Sequence, residues 1–177
     1  TLIVSKNGTY KFRAIDCVGN MTEQEIVVDK IDKAAPVKPV VSADVTTVTN
    51  KDVILTADFS EDTVKKEYSF DNENWYEYPA GGVTVTANGK VYFRSIDRAE
   101  NISGTEFVVG NIDKNAPVLN ITGNAETWTN QDVKLVAVAE DANSVVVEYF
   151  DGKKWVAGDT LIVSKNGTYK FRAIDCV

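Results

Sequence analysis

Histidine is missing from all 177 residues. That removes at once the commonest general base and the commonest transition-metal ligand. Cysteine is nearly missing too: Cys17 and Cys176 are the whole supply, and neither has a histidine to activate it as a nucleophile. No apolar run approaches the ~18 residues that a membrane-spanning helix needs. There is no Gly-rich phosphate loop and no strand-to-helix nucleophile elbow. No secretory signal opens the chain, which starts in mid-pattern as a segment of something longer would. Positive charge is short: 19 Lys and Arg stand against 26 Asp and Glu, for a net charge of −7. Without a basic stripe, an acidic surface argues against nucleic acid and against membrane insertion or adsorption to anionic lipid.

What is present is repetition. Residues 1–18 read TLIVSKNGTYKFRAIDCV, and residues 160–177 read the same. Cys17 and Cys176 are therefore one position seen twice, and the expectation is two lone thiols rather than a disulfide. The long period splits again. Asn7-Gly8 with Phe12-Arg13-Ala14-Ile15-Asp16 returns as Asn88-Gly89 with Phe93-Arg94-Ser95-Ile96-Asp97. It returns once more as Asn166-Gly167 with Phe171-Arg172-Ala173-Ile174-Asp175. Thr49-Asn50 and Asp52-Val53 match Thr129-Asn130 and Asp132-Val133, and Trp75 matches Trp155. Two related repeats, A and B, thus alternate. Residues 34–114 make one whole A repeat, residues 1–33 the later part of a B repeat, and residues 115–177 the earlier part of the next B.

No segment keeps a helical period. Several alternate with period two, are rich in β-branched and aromatic residues, and are bounded by Asn, Gly, Asp and Pro. Strands are expected near 37–43, 52–59, 64–70, 74–78, 83–87, 90–97 and 105–112. Val53, Leu55, Ala57 and Phe59 share one face, and Val133, Leu135, Ala137 and Ala139 keep it apolar in B, so this is the expected core face. Phe93 is expected in the same core. Tyr10, Phe12 and Ala14 are expected to point inward and Lys11, Arg13 and Ile15 outward. Seven short strands in one repeat of this length predict an all-β, immunoglobulin-like antiparallel sandwich. About 80 residues suffice for such a sandwich to hold together by burial alone.

The chain resembles the bacterial Ig-like tandem repeats of large cell-surface and adhesin proteins, the OmpL47-type repeats among them. Glu67-Tyr68-Ser69-Phe70-Asp71 followed by Trp75 and Tyr78 carries the resemblance. So do Asn88-Gly89 with Phe93-Arg94-Ser95-Ile96-Asp97, and Ile112-Asp113-Lys114-Asn115-Ala116-Pro117. The usual Asp-x-Ala-Gly-Asn loop of such repeats stands as Asp16-Cys17-Val18-Gly19-Asn20. In A it becomes Asp97-Arg98-Ala99-Glu100-Asn101, where Glu replaces Gly and a different turn is expected. Asn7-Gly8-Thr9-Tyr10 resembles the corner before an immunoglobulin F strand. That implies a hydrogen bond from the tyrosine, which A, with Val91 there, should lack. The resemblance implies spacers, stalks and adhesive arrays on the bacterial cell surface rather than enzymes.

Four groups of residues stand out as candidate sites. Thirteen acids spread over repeat A make chance carboxylate pairs expected, and they mark no catalytic centre. Calcium is the one cofactor with candidate ligands. At one end of an Ig-like sandwich Glu61, Asp62, Asp97 and Glu100 would meet Asp32 of the incoming linker, and carboxylate oxygens suit calcium. Against it, Lys33 and Lys114 put a cation in each linker. Tyr76 and Tyr78 are the candidate contact surface for a glycan or a host protein, with Trp75 expected in the core because Trp155 repeats it. The linkers are Ile31, Asp32 and Pro36, and Ile112, Asp113 and Pro117. They are short, proline-bearing and poor in Gly and Ser, and so are semi-rigid. The favoured expectation is a semi-rigid spacer in an extracellular stalk, filament or adhesin array whose partners are its neighbouring repeats. A glycan- or protein-binding module, or a non-catalytic spacer in a secreted enzyme, are the alternatives. Residues 115–177 stop before a final strand whose counterpart lies in 19–33, so an unpaired edge is expected there.

Overall fold

The computed structural model describes all 177 residues, and they form an all-β structure with no helix. Two compact units are present, one made of residues 1–45 and 53–110 and the other of 46–52 and 111–177.

In the first unit β1 (Gly8–Ile15) and β2 (Met21–Val28) form a hairpin in unbroken antiparallel register, from Gly8 opposite Val28 to Ile15 opposite Met21. Seven strands follow: β3 (Val40–Ala43), β4 (Val53–Asp58), β5 (Lys65–Ser69), β6 (Tyr76–Glu77), β7 (Val83–Val85), β8 (Gly89–Ile96) and β9 (Ile102–Val109). They make two antiparallel sheets, in the orders β3-β4-β7 and β6-β5-β8-β9. The second unit has β10 (Val118–Thr122), β11 (Val133–Glu140), β12 (Val145–Phe150), β13 (Trp155–Ala157), β14 (Thr160–Val163) and β15 (Phe171–Asp175). Its sheets run β10-β11-β14 and β13-β12-β15. Strand for strand these repeat the orders of the first unit, except that nothing stands where β9 stands beside β8.

The period-two pattern becomes the core. Along β4, Val53, Leu55 and Ala57 are buried while Ile54, Thr56 and Asp58 face water. Val83 and Val85 of β7, and Val91 and Phe93 of β8, are buried as well. Pleated strands turn successive side chains to opposite faces, so one apolar row per strand is enough to build a two-sided core. Leu135 and Ala137 hold the equivalent place in the second unit.

The alternation along β8 stops at its end, where Ile96 is 7% exposed and next to the buried Asp97. Two expectations are corrected. β9 begins at Ile102, not near 105, because the turn before it is tight: Asp97 N–H donates to the carbonyl of Asn101 at 3.1 Å. Phe12, expected inside, is 51% exposed, since β1 and β2 form a two-stranded sheet with no second sheet over it.

Candidate functional site

The linkers are held by hydrogen bonds from distant residues. In the first, the side-chain amide of Asn7 clasps the backbone of Ile31. Its Oδ1 accepts the Ile31 N–H at 2.8 Å and its Nδ2 donates to the Ile31 carbonyl at 3.0 Å. Asn101 Nδ2 donates to the carbonyl of Asp32 at 3.3 Å, and Pro36 is buried. The second linker forms a short parallel bridge in which Thr49 lies opposite Ile112. Thr49 N–H donates to Asn111 O at 2.9 Å, and Asp113 N–H donates to Thr49 O at 2.8 Å. Asn111 Nδ2 reaches Thr47 O at 2.8 Å. Ile112 is buried and Pro117 half-buried. Both linkers carry the same Asx turn, Asp32 Oδ1 accepting from Ala34 N–H and Asp113 Oδ1 from Asn115 N–H. Proline is thus not all that holds these segments: side-chain amides of Asn7 and Asn101 bond the first, and a backbone bridge to Thr49 bonds the second, neither of which local sequence announces.

The five acids considered for calcium are not gathered. No group of three or more Asp, Glu, His or Cys side chains is placed to hold a metal ion. The physical reason lies in the turn that two of them build. Asp97 Oδ1 accepts the Asn101 backbone N–H at 2.8 Å and Oδ2 accepts Asn101 Nδ2 at 2.8 Å. Asn101's side-chain donor is the main cause that holds the Asp97 carboxyl below the usual carboxylate range. A carboxylate whose folded value is lowered stabilises the fold above its ordinary range and loses that contribution as pH falls through the folded value. Glu100 takes a left-handed backbone at φ 66°, where its counterpart Gly19 sits at 95°. The Asp16 turn has the same bonds, so the expected difference between the two turns is absent and Glu100 carries the strain instead. Asp32 is engaged in its Asx turn, and the linker cation Lys114 pairs with Asp52 at 2.5 Å.

Of the two tyrosines, Tyr76 is 54% exposed, its ring tilted against that of Tyr68 at 5.7 Å, and Tyr68 in turn meets the exposed Phe70 edge to face. Tyr78 is a packing residue. Its hydroxyl accepts the Ala57 N–H at 2.9 Å, and its ring meets Phe59 at 5.0 Å and Phe93 at 6.2 Å. In the second unit Gly158 stands at that place and the ring of Tyr149 fills it, 3.1 Å from where a Cβ would be.

Trp75 is not in the core. It is half-buried under the Arg94 guanidinium, 4.0 Å from its ring centre, and Arg94 Nε donates to Glu67 Oε2 at 2.6 Å. The second unit repeats the arrangement with Trp155, Arg172 and Glu148. Sequence reasoning missed it, although Glu67, Trp75 and Arg94 all recur together in the second copy. Cys17 and Cys176 are both exposed and free. The hydroxyls of Tyr10 and Tyr169 donate to the carbonyls of Lys6 and Lys165 at 2.7 and 2.8 Å. Val91, buried at the same position of β8, has no hydroxyl to do so.

No protein-family model matches the chain. Over 104 residues, 58% of its length, the chain is 38% identical to the PII-type proteinase of Lacticaseibacillus paracasei. The same span and identity hold for the PII-type and PI-type proteinases of Lactococcus lactis subsp. cremoris. That span is 5% of each of these proteins. The likeness is therefore to one small stretch of a very long chain.

Proposed function

We propose that this chain is a run of alternating immunoglobulin-like repeats, of the kind found in OmpL47-type surface proteins, that serves as a semi-rigid, non-catalytic spacer in a large extracellular bacterial protein. The observation that carries the reading is the linker geometry. One joint is tied by the side-chain amide of Asn7 and the other by backbone hydrogen bonds of Thr49, and a joint so tied transmits position rather than hinging freely. The similarity to a small part of long bacterial proteinases supports a spacer inside a secreted enzyme as readily as a stalk or filament. Its partners on this reading are neighbouring repeats, and its place is the cell surface.

The two native thiols supply the test. Spin labels on Cys17 and Cys176 should give a narrow distance distribution; Asn7→Ala, which removes the clasp on Ile31, and Thr49→Pro, which removes the N–H bonded to Asn111, should broaden it. A broad distribution in the unaltered chain, or peptide hydrolysis that co-purifies with it, overturns the reading.

A second reading rests on the cluster of exposed Tyr76 and Phe70 about half-buried Tyr68, an aromatic surface of the kind that meets sugars or protein partners. Tyr76→Ala should then abolish adhesion to a glycan array or host-protein surface while leaving folding intact.

A further inference from the structure

The four-stranded sheet β6-β5-β8-β9 turns Val91 and Phe93 of β8 into the core, so Tyr92 and Arg94 face away from it, with Glu106 and Gly104 opposite them on β9. On this outer face lies a cleft of about 450 Å³, within the span of small-ligand sites. Trp75 and Tyr92 give it aromatic surface, Asn72, Lys38 and Glu106 give it polar groups, and Gly104 gives it bare backbone. All of these residues lie in repeat A, and none belongs to the Tyr76 cluster.

The B repeats keep the stack beside this cleft and lack what lines it. Trp155, Arg172 and Glu148 match Trp75, Arg94 and Glu67. Around them, Tyr92 stands where B has Lys11 and Lys170, Asn72 where it has Gly152, and Gly104 where it has Glu23. Glycine inside a strand packs nothing, and it marks places where another group comes close. A Cβ at Gly104 would lie 3.1 Å from the Phe93 carbonyl, yet Glu23 holds the same rung of the β1–β2 ladder opposite Arg13, so the ladder accepts a side chain. Asn72 is left-handed at φ 62°, where Gly152 sits at 97° without a Cβ penalty. Repeat A thus bears strain at Asn72 that keeps an amide in the cleft, and forgoes a side chain at Gly104 that would fill it.

The charges near the cleft are mostly paired. Glu106 bonds Lys90 at 3.2 Å, and Glu67 bonds Arg94 at 2.6 Å. Lys38 makes no ion pair. The Asn72 amide, the Tyr92 hydroxyl and the Trp75 indole N–H make no hydrogen bond within the protein. Aromatic faces beside unused donors and acceptors match a pyranose, which has apolar C–H surfaces and a rim of hydroxyls. A net charge of −7 repels a polyanion, so the sugar that fits is uncharged. We propose that this cleft binds a neutral hexose unit of a glycan chain, with Trp75 and Tyr92 covering its C–H surface and Asn72 and Lys38 bonding its hydroxyls. The site adds binding to the spacer role and is presented by A repeats alone.

Amide NMR of the full chain, titrated separately with gluco-, manno- and galacto-hexaoses and with a galacturonate hexamer, tests the site. Saturable shifts at Asn72, Gly104 and the Trp75 indole N–H are expected with a neutral hexamer. Gly104→Glu and Tyr92→Lys, which install the residues B carries there, should each weaken binding about tenfold or more. Asn72→Gly should weaken it about fivefold. It leaves the core untouched, and so carries the test if either larger change disturbs the amides of Val53 and Leu55. Trp155→Ala should bind like the unaltered chain. The proposal is overturned if no neutral hexamer gives saturable shifts, if the shifts gather at Tyr76 and Phe70 instead, or if the three cleft variants bind undiminished. A galacturonate hexamer that binds more tightly than the neutral ones overturns it as well.

Discussion

Residues 1–18 and 160–177 are the same eighteen letters in two conformations. Leu161–Val163 belong to a strand because β11 lies beside them, while Leu2–Val4 have no strand partner and take no strand form. At the other end the situation reverses. Gly8–Ile15 are strand throughout because β2 pairs with all eight, whereas in the second copy only Phe171–Asp175 are strand, where β12 reaches them. The tyrosine hydroxyl bond, which spans four residues, is the same in both. Local interactions are thus written in the segment, and strand form is conferred by a neighbour.

The sharpest way to break this comparison uses the phenylalanine that the repeat presents three times. Phe93 is fully buried, Phe171 half-buried and Phe12 51% exposed. Substitution by Ala should cost ~3–5 kcal/mol of local stability at Phe93, about half that at Phe171, and well under 1 kcal/mol at Phe12. Native-state amide exchange, read separately for each unit, measures all three, and avoids treating two units as one transition. Equal costs at Phe12 and Phe93 would mean that the hairpin carries a core of its own.

The same contrast explains what was legible in the sequence. Val53, Leu55, Ala57 and Phe93 could be placed because period-two alternation, repeated in the second copy, leaves one apolar face per strand. The turn bonds of Asp16 and Asp97 and the tyrosine bonds are local and follow from a short stretch of residues. Trp75 could not be placed by its recurrence, since a stack under Arg94 recurs as well as a core site does. The linkers looked stiff for their prolines, yet Thr49 holds Ile112 from across the sequence, and Asn7 holds Ile31. Such pairings depend on the register of the whole unit. Composition counts the acids, but it does not say that Asp97 accepts both the backbone and the side-chain N–H of Asn101.

The outer-face stack supplies the next effect. Trp75→Ala removes a half-buried indole and its contact with Arg94, and should cost about 2 kcal/mol in the first unit. Trp155→Ala should do the same in the second, where Arg172 sits 4.5 Å from the ring centre. Arg94→Lys should recover less than half of the loss caused by Arg94→Ala, because an ammonium cannot lie flat on the ring while bonding Glu67. Full recovery would mean that simple charge pairing accounts for the arrangement.

Tyr10→Phe and Tyr169→Phe each delete one hydroxyl bond to a backbone carbonyl, worth about 1 kcal/mol. Because that bond is local, the two losses should agree even though the surroundings differ. If only Tyr169→Phe is felt, the corner depends on the sheet beside it, and the division between local and conferred structure must be redrawn.

The smallest effect concerns the turn that both repeats share. Asp16 and Asp97 each bond the asparagine four residues on through backbone and side chain, and the residue before that asparagine is left-handed in both. Gly19 adopts that conformation without a Cβ penalty, whereas Glu100 does not. Glu100→Gly should therefore stabilise the first unit, by about 1 kcal/mol or less, because added freedom in the unfolded chain offsets part of the relieved strain. The reverse change, Gly19→Glu, should destabilise the hairpin by a similar amount. Both follow from amide exchange at Asn101 and Asn20, whose N–H groups bond the aspartates and report directly on turn opening. A loss of stability in Glu100→Gly would show that the glutamate side chain supplies something the turn geometry alone does not, and that the two turns differ after all.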